Sequence, residues 1–478
     1  MVAVAAALSA STVAAVGVIA ASCSPGASEA AADGSATTPM PPRAADRKPP
    51  NLILIVTDDQ RADTIRFMPN VRRLLAAHGV TFRRFYVTTS LCCPARAGIL
   101  TGQYARHTGV YDNVGPHGGA GAFDDRSTVA TWLSGGGYTT ALVGKYLNGY
   151  SRFGRCYFPP GWTEWAALAS EPEAHYFDYP LNHDGTIQWY GDEPRDYSTS
   201  VLFRRGTSFA LSARQPFFLY LAPSAPHRPA TPLPRDAGRF RDLPPSRPPS
   251  FDEHDVSDKP WGNEVPSLSP SEIGEIDGIR EHMLESLQAV DRDVAFLVRA
   301  LRRSGRLGHT VIALTSDNGF LWGEHRLLSK VWPYEESIRV PLVVRVPWLT
   351  RSRVDSHLVL NIDLAPTLAQ LAGVRPGLPE DGRSFVPLLE GRHTRWRRAF
   401  TEEWLGRPAT EVGSPPPFEA LHTRRWVWVE YRNGWRELYD LRRDPHELAN
   451  LAARPRTAGL RRRLSDELRA LLRARPGS

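Results

Sequence analysis

Three short segments of this sequence carry side chains able to do chemistry. Asp58 and Asp59 directly follow the aliphatic run Asn51-Leu-Ile-Leu-Ile-Val56, and Asp317-Asn318-Gly319 closes the run that begins Val311-Ile-Ala-Leu314. In open α/β sheets ligands collect beyond the carboxyl ends of strands. Adjacent carboxylates there suggest a hard divalent cation, and oxygen donors from two strand ends would suit calcium. Each pair also has a plainer reading. Asp58-Asp59 could be a solvated turn or a helix N-cap before Gln60, and Asn-Gly after a strand is a hairpin-turn signal. The third segment is Cys92-Cys93-Pro94-Ala95-Arg96. With cysteines only at 23, 92, 93 and 156 the chain has too few for a disulfide scaffold. Vicinal cysteines pair poorly with each other, and the absence of CxxC or Cys/His ligand spacing argues against zinc.

Something must position these groups. At 478 residues, 42% hydrophobic and 23% charged, the chain can bury a large core, so disorder is not the default. The run 51–56, continuous and rich in β-branched residues, fits a strand covered on both faces of a parallel sheet. Further strands are expected at Thr139-to-Val143, Phe217-to-Leu221, Val311-to-Leu314 and Pro341-to-Val346. Helices are expected at Val71-to-His78, with Gly79 as C-cap, at Met283-to-Arg303, and at Asp363-to-Leu371, ended by Gly373. This alternation predicts an α/β sandwich with a mostly parallel central sheet flanked by helices. Strand-like Arg398-to-Glu403 and Trp426-to-Tyr431 and a basic amphipathic helix over Leu460-to-Arg473 predict a smaller α+β subdomain with an antiparallel sheet. That helix is expected to dock on the body rather than on a membrane.

The expected division is a signal or lipoprotein signal peptide at 1–23, a Pro/Ser/Ala-rich linker at 24–50, a catalytic domain at 51–380 and a C-terminal subdomain at 381–478. Cys23 after Ala20-Ala21-Ser22 resembles a lipoprotein cleavage site. The chain therefore reads as secreted, or as a cell-surface lipoprotein of a bacterium, with any membrane contact through a lipid anchor at Cys23. The net charge of +7 comes from Arg-rich stretches, which a high-GC genome or attraction to an anionic substrate would both explain. No zinc-finger spacing or RNA-binding aromatic signature is present, so nucleic acid is not an expected partner.

Cys92-x-Pro94-x-Arg96 continues into Leu100-Thr101-Gly102 and resembles the type I sulfatase signature C-x-P-x-R-x-x-x-L-T-G at every fixed position. The likeness extends from Asn51 to Leu451 and includes the closing motif Glu437-Leu-Tyr-Asp440 to Asn450-Leu451. Within the family it is nearest the N-acetylglucosamine-6-sulfatases and related glycan 6-O-sulfatases, through Cys92-Cys93-Pro94, Gly144-to-Asn148, Ala225-Pro226-His227 and Asn361-to-Thr367. The resemblance implies an alkaline-phosphatase-like fold. It implies a Ca2+ ion held by Asp58, Asp59, Asp317 and Asn318 beside Cys92, and conversion of Cys92 to Cα-formylglycine (3-oxoalanine) by a formylglycine-generating enzyme, with Cys93 unmodified.

It also implies hydrolysis of a sulfate monoester, the 6-O-sulfate of N-acetylglucosamine or a related glycan sugar. One oxygen of the formylglycine hydrate would attack sulfur in line, and the other would later expel sulfate. Arg96, Lys145 and Lys330 would neutralise the sulfate, and His227, with or through Lys330, would protonate the leaving alcohol. One departure matters: where many sulfatases have Gly-Lys-Trp-His-Leu-Gly, this chain has Gly144-Lys-Tyr-Leu147-Asn148-Gly149. Leu147 replaces the histidine that would help deprotonate the hydrate, and His107 and Asn148 are candidates to occupy nearby space. His325 is a candidate substrate contact. The competing functions are phosphonate or phosphate monoester hydrolysis in the same superfamily and an inactive protein that binds sulfated glycans. The loops Tyr150–Asp196 and Pro229–Pro270 are expected to set sugar and linkage.

Overall fold

The computed structural model describes residues 48–170, 175–262, 264–405 and 414–477. The expected signal segment and nearly all of the expected linker lie outside the described residues.

The aliphatic run at 51–56 becomes strand β1 (Asn51–Thr57), buried throughout. Its alternate side chains feed two different cores, Leu52, Leu54 and Val56 one and Ile53 and Ile55 the other, which is why the run is apolar at every position. The other strands of the sheet are β2 (Gly79–Phe82), β3 (Thr139–Gly144), β4 (Glu164–Leu168), β5 (Tyr179–His183), β6 (Thr186–Tyr190), β7 (Phe217–Ala222), β8 (Thr310–Ser316), β9 (Leu342–Arg345) and β10 (Arg353–Asp355). The ten lie in the order β10-β2-β9-β8-β1-β7-β3-β4-β5-β6. From β8 to β4 all pairs are parallel, while β9 and β5 are antiparallel to their neighbours. The sheet is therefore mixed but mostly parallel at its centre, as expected.

Helices cover both faces. One core takes α2 (Cys92–Thr101), α3 (Val129–Gly135) and α6 (Leu364–Ala372), and the other takes α1 (Pro69–Leu74), α4 (Ser198–Ser212) and α5 (Pro270–Arg303). Helix α5 starts thirteen residues before the expected Met283. Its first turns are solvated and show little apolar periodicity, but Ser269 and Glu272 form a reciprocal capping box with Pro270 at the first position. The expected helix at 71–78 breaks into α1 and a short 3-10 turn, and Gly79 caps that turn without the left-handed backbone of a glycine C-cap. It opens β2 with an extended backbone, and a Cβ there would lie 2.0 Å from the carbonyl oxygen of Val344 on β9. Gly373 does close α6 in the left-handed conformation.

Gly144 ends β3 with φ +119°, and a Cβ on it would lie 2.1 Å from the Ala222 carbonyl oxygen of β7. Gly144→Ala is expected to destabilise the chain by about 3 kcal/mol or more, read from urea unfolding, because strain and a backbone clash coincide.

The C-terminal subdomain is an antiparallel sheet of β11 (Ala399–Trp404), β12 (Phe418–Thr423), β13 (Trp426–Tyr431) and β14 (Arg436–Asp440). Helix α7 (Ala458–Leu472) docks on one face through Leu464 and Leu468, against Leu421, Trp428 and Leu438. The opposite face packs Val427, Val429 and Tyr439 against Trp261, Trp332 and Tyr334 of the body. Among the described residues no helix is long and apolar enough to cross a membrane.

Within that sheet His422 Nε2 and Glu402 Oε2 are 2.9 Å apart and buried. Burial lowers the histidine to about 3 and holds the glutamic acid well above its usual range, so the folded pair keeps one proton. An unfolded pair gains a second proton below about 4.5 and loses its last above about 6.5. Stability from this pair therefore peaks between those values and falls on either side, by up to about 1.4 kcal/mol per pH unit. Thermal melts of the His422→Gln variant across pH should lose the acid-side fall and keep the alkaline one, which the proton on Glu402 causes.

Candidate functional site

The two strand-end clusters are neighbours because β1 and β8 pair in register, Thr57 beside Ser316. The chain then turns sharply: Asp59 has φ +67°, its amide donates to Asp317 Oδ1 at 3.2 Å, and the amide of Gln60 donates to Ser316 Oγ at 2.9 Å. Gly319 follows without a side chain because a Cβ there would lie 2.2 Å from the Glu336 carbonyl oxygen. Asp58, Asp59, Asp317 and Asn318 are all buried. The hairpin-turn and solvated-turn alternatives do not describe these positions.

Helix α2 is buried at all ten residues, with Cys92 at its N-terminus and Gly102 closing it at φ +75°. Arg96 lies one turn beyond Cys92 on the same face. Its Nε donates to Asp317 Oδ2 at 2.8 Å and its Nη1 to the Lys145 carbonyl at 3.1 Å, while Nη2 is 3.5 Å from Asp58 Oδ2. The end of β3 delivers Lys145, whose Nζ donates to Asp58 Oδ2 at 2.6 Å. Lys330, in the loop before the segment Glu335–Ile338, donates to Asp59 Oδ1 and to Cys92 Sγ, the latter at 3.0 Å. His227 Nε2 lies 3.8 Å from Asp59 Oδ2, and its Nδ1 donates to the Arg228 carbonyl at 2.6 Å.

Charge sets the protonation states. Burial by itself would raise the carboxyl of Asp58, but Lys145, His227, Arg96 and Lys330 hold it well below the usual carboxylate range. Burial and the Asp58 charge push the Cys92 thiol up to about 12. Burial would lower Lys145 and Lys330, yet Asp58 raises the first and Asp59 the second, so both stay charged. Asp317 is raised by burial and by Asp58. Three buried acidic side chains thus face three buried cations.

The donor set fits a cation. Asp58, Asp59, Cys92 and His227 bring ligand-type atoms within 4.8 Å of one another. Asn318 Nδ2 donates to Asp59 Oδ1 at 2.5 Å, leaving Asn318 Oδ1 buried with no hydrogen-bond partner among the described residues. Turning that amide over would present an oxygen beside Asp59, as a hard ion requires. Arg96 Nη2 is likewise buried without a hydrogen-bond partner. The site therefore holds one open acceptor suited to a cation and one open donor suited to an oxyanion.

Every sequence-derived site residue, Asp58, Asp59, Cys92, Arg96, Lys145, His227, Asp317, Asn318 and Lys330, converges here. The secondary candidates do not. His107 is held by Asp381 Oδ2 at 2.8 Å, and Asn148 lies against Cys93 Sγ. Leu147 is a core residue. His325 is fully buried, bound to Glu253 and packed 4.0 Å from the ring of Tyr334. Sequence reasoning missed Asn113, whose Oδ1 accepts from the Cys93 amide at 2.9 Å. A recess of about 270 Å³ at His227, lined by His175, Tyr176, Phe177 and Arg228, takes part of its wall from the loop Tyr150–Asp196 expected to set sugar and linkage. The aromatic density of 175–179 was the available signal.

Residues 50–374 match the sulfatase family and residues 323–474 the family described as N-sulphoglucosamine sulphohydrolase, C-terminal. The chain belongs to the sulfatase family. It is 31% identical to the N-acetylglucosamine-6-sulfatase of Homo sapiens over 456 residues, covering 86% of this chain and 82% of that protein. It is 35% identical to the extracellular sulfatase SULF-1 homolog of Drosophila melanogaster over 401 residues, 80% of this chain. It spans only 35% of that protein's length, and 54% of a putative Caenorhabditis elegans homolog. Two solved structures share the fold. One, in complex with its substrate D-glucosamine-2-N,6-O-disulfate, has a TM-score of 0.76 and 24% identity and covers 90% of this chain and all of that one. The phosphonate monoester hydrolase of Agrobacterium radiobacter has a TM-score of 0.73 and 23% identity, covering 88% of this chain and 95% of that one.

These relatives overturn the expectation of a secreted or cell-surface lipoprotein of a bacterium. Fly, nematode, goat, human and cattle proteins stand beside a single Bacteroides one among those named. The signal for that expectation, the apolar run ending at Cys23, lies outside the described residues.

Proposed function

We propose that this chain hydrolyses sulfate monoesters, with the 6-O-sulfate of N-acetylglucosamine or a related glycan sugar as substrate. The observation that carries the proposal is the placement of Cys92 at the N-terminus of a buried helix, its Sγ 3.0 Å from Lys330 Nζ and 3.5 Å from Asp58 Oδ1. A helix N-terminus and three cations favour an anion there. The names of the human relative and of the disulfated ligand in the neighbouring structure support a glucosamine 6-sulfate.

Asp58, Asp59, Asp317 and Asn318 would hold Ca2+, which would add positive charge to an otherwise balanced site and polarise a bound sulfate oxygen. Matured to Cα-formylglycine by a formylglycine-generating enzyme, position 92 would supply a hydrated aldehyde as nucleophile. The remaining roles belong to side chains present in the chain. Arg96 Nη2, the open donor, binds a sulfate oxygen, and Lys145 and Lys330 neutralise the others. Because the Arg228 carbonyl takes the Nδ1 hydrogen of His227, Nε2 is the nitrogen from which the cationic ring gives up a proton to the leaving alcohol, directly or through Lys330, and the ring is left neutral. The recess at His227 lies where the alcohol would leave, so its aromatic walls would meet the sugar.

A panel of esters tests this. The expected order of kcat/KM puts N-acetylglucosamine 6-sulfate above aryl sulfates and both above phosphonate monoesters. Faster turnover of the phosphonates would instead support the second reading, which rests on the shared fold of the Agrobacterium hydrolase. Glycan binding without turnover of any ester would support the inactive-protein reading.

A further inference from the structure

Beyond the loop that carries Lys330, a second set of ligand-type side chains is gathered that the proposed reaction does not use. His325, Glu336 and Glu447 bring ligand atoms within 4.8 Å of one another. They come from separate parts of the chain. His325 and Glu336 flank Lys330 in sequence, and Glu447 belongs to the C-terminal subdomain, following β14. His325 and Glu447 are 0% and 1% exposed.

The hydrogen bonding around them is lopsided. His325 Nδ1 pairs with Glu253 Oε2 at 2.6 Å, and donation to the ionised form of Glu253, which burial pushes up to about 7, leaves Nε2 as a lone pair. Among the described residues that Nε2 has no hydrogen-bond partner, and neither has Glu447 Oε1, although Glu447 Oε2 accepts from the Glu335 amide at 3.1 Å. Two buried polar atoms without partners are costly to desolvate, by about 1–3 kcal/mol each, unless a proton or an ion lies between them.

Nearby cations are committed elsewhere. Lys259 Nζ binds Glu253 Oε1 at 3.1 Å and the Glu447 carbonyl at 3.2 Å, and Arg61 binds Glu324 at 2.7 Å. Burial, with Glu324 nearby, pushes Glu336 up to about 7, and burial with Glu335 and Glu336 holds Glu447 well above its usual range. The cluster is short of positive charge.

We propose that His325, Glu336 and Glu447 form a second metal site, separate from the one at Asp58 and Asp317, which takes a borderline divalent ion such as Zn2+ or Mn2+. One imidazole nitrogen with two carboxylates is the donor set of such ions, while calcium prefers oxygen alone. Glu253 is the positioning residue, a carboxylate holding the far side of the ligating imidazole. The bound ion would tie the C-terminal subdomain to the segment that presents Lys330.

Co2+ is the probe, added to the full chain in excess Ca2+ and followed by its visible absorption and by metal analysis after gel filtration. One equivalent with nitrogen in its coordination shell is expected. Glu447→Gln should weaken that binding by about 100-fold, and Glu253→Gln, which leaves all three ligands in place, by about 10- to 100-fold. No uptake at saturating Co2+, an all-oxygen shell, or affinity unchanged in both variants would overturn the proposal and leave a shared proton as the occupant. Should Glu447→Gln fail to fold, Glu253→Gln and the spectrum of the unaltered chain decide. Turnover is not the readout, so the outcome is independent of the sulfatase proposal.

Discussion

Replacing Cys92 by alanine is expected to lower kcat for a sulfate ester by on the order of 10⁴-fold or more while costing about 1 kcal/mol of stability. The side chain is small and buried, and the ion pairs of the site, Lys145 with Asp58 and Lys330 with Asp59, do not depend on it. What is lost is the atom at the helix N-terminus that faces Lys330. Sulfated ligand should still bind, because Arg96 and both lysines remain, and calorimetry with the unreacted ester would show it. Turnover by Cys92→Ala within tenfold of the parent would sink the assignment of residue 92 as nucleophile, and peptide mass spectrometry across Cys92 in the active parent would then show an unaltered thiol.

Asp317→Asn should produce the second large effect, of a different kind. Asp317 accepts from Arg96 Nε at 2.8 Å and from the Asp59 amide at 3.2 Å, with no exposure to water. The amide keeps the shape and one acceptor but removes the charge that balances a fully buried guanidinium, whose next partner, Asp58, is 3.5 Å away. Removing one member of a buried pair costs about 3–5 kcal/mol. The variant should unfold at lower urea, lose bound Ca2+ by metal analysis, and turn over substrate at least about 10³-fold more slowly. Retention of both metal and activity would mean that the four strand-end residues are not the metal ligands.

Much of this site could be read before the fold was known, because each part announced itself locally. Asp58 and Asp317 stand at the ends of strands whose unbroken apolar character implied a buried parallel sheet, and Cys92 sits in a long fixed pattern. What could not be read depends on contacts across the chain. Gly79 looks like a helix terminator in sequence, and only the approach of the Val344 carbonyl shows why no side chain fits there. The first turns of α5 are solvated, so periodicity was silent while the capping residues Ser269, Pro270 and Glu272 were not. His325 shows how much its partners depend on the fold. A histidine five residues before Lys330 suggests the substrate, but the fold turns it inward onto Glu253 and Tyr334. The loop holding 175–177 was expected to face substrate, but its meeting with 227–228 to form a recess beside His227 is a contact across the chain.

The central position of β1 also dictates an order of events. Its two neighbours in the sheet, β7 and β8, begin at Phe217 and Thr310, so the middle of the sheet cannot close until more than half of the chain is available. Closing loops of that length is slow relative to local helix formation. During synthesis Cys92 therefore emerges long before Lys330, whose Nζ lies 3.0 Å from its sulfur, and is accessible in a growing chain although only 1% exposed in the finished one. Any enzyme that must reach its sulfur has a deadline set by the closing of the sheet around β1.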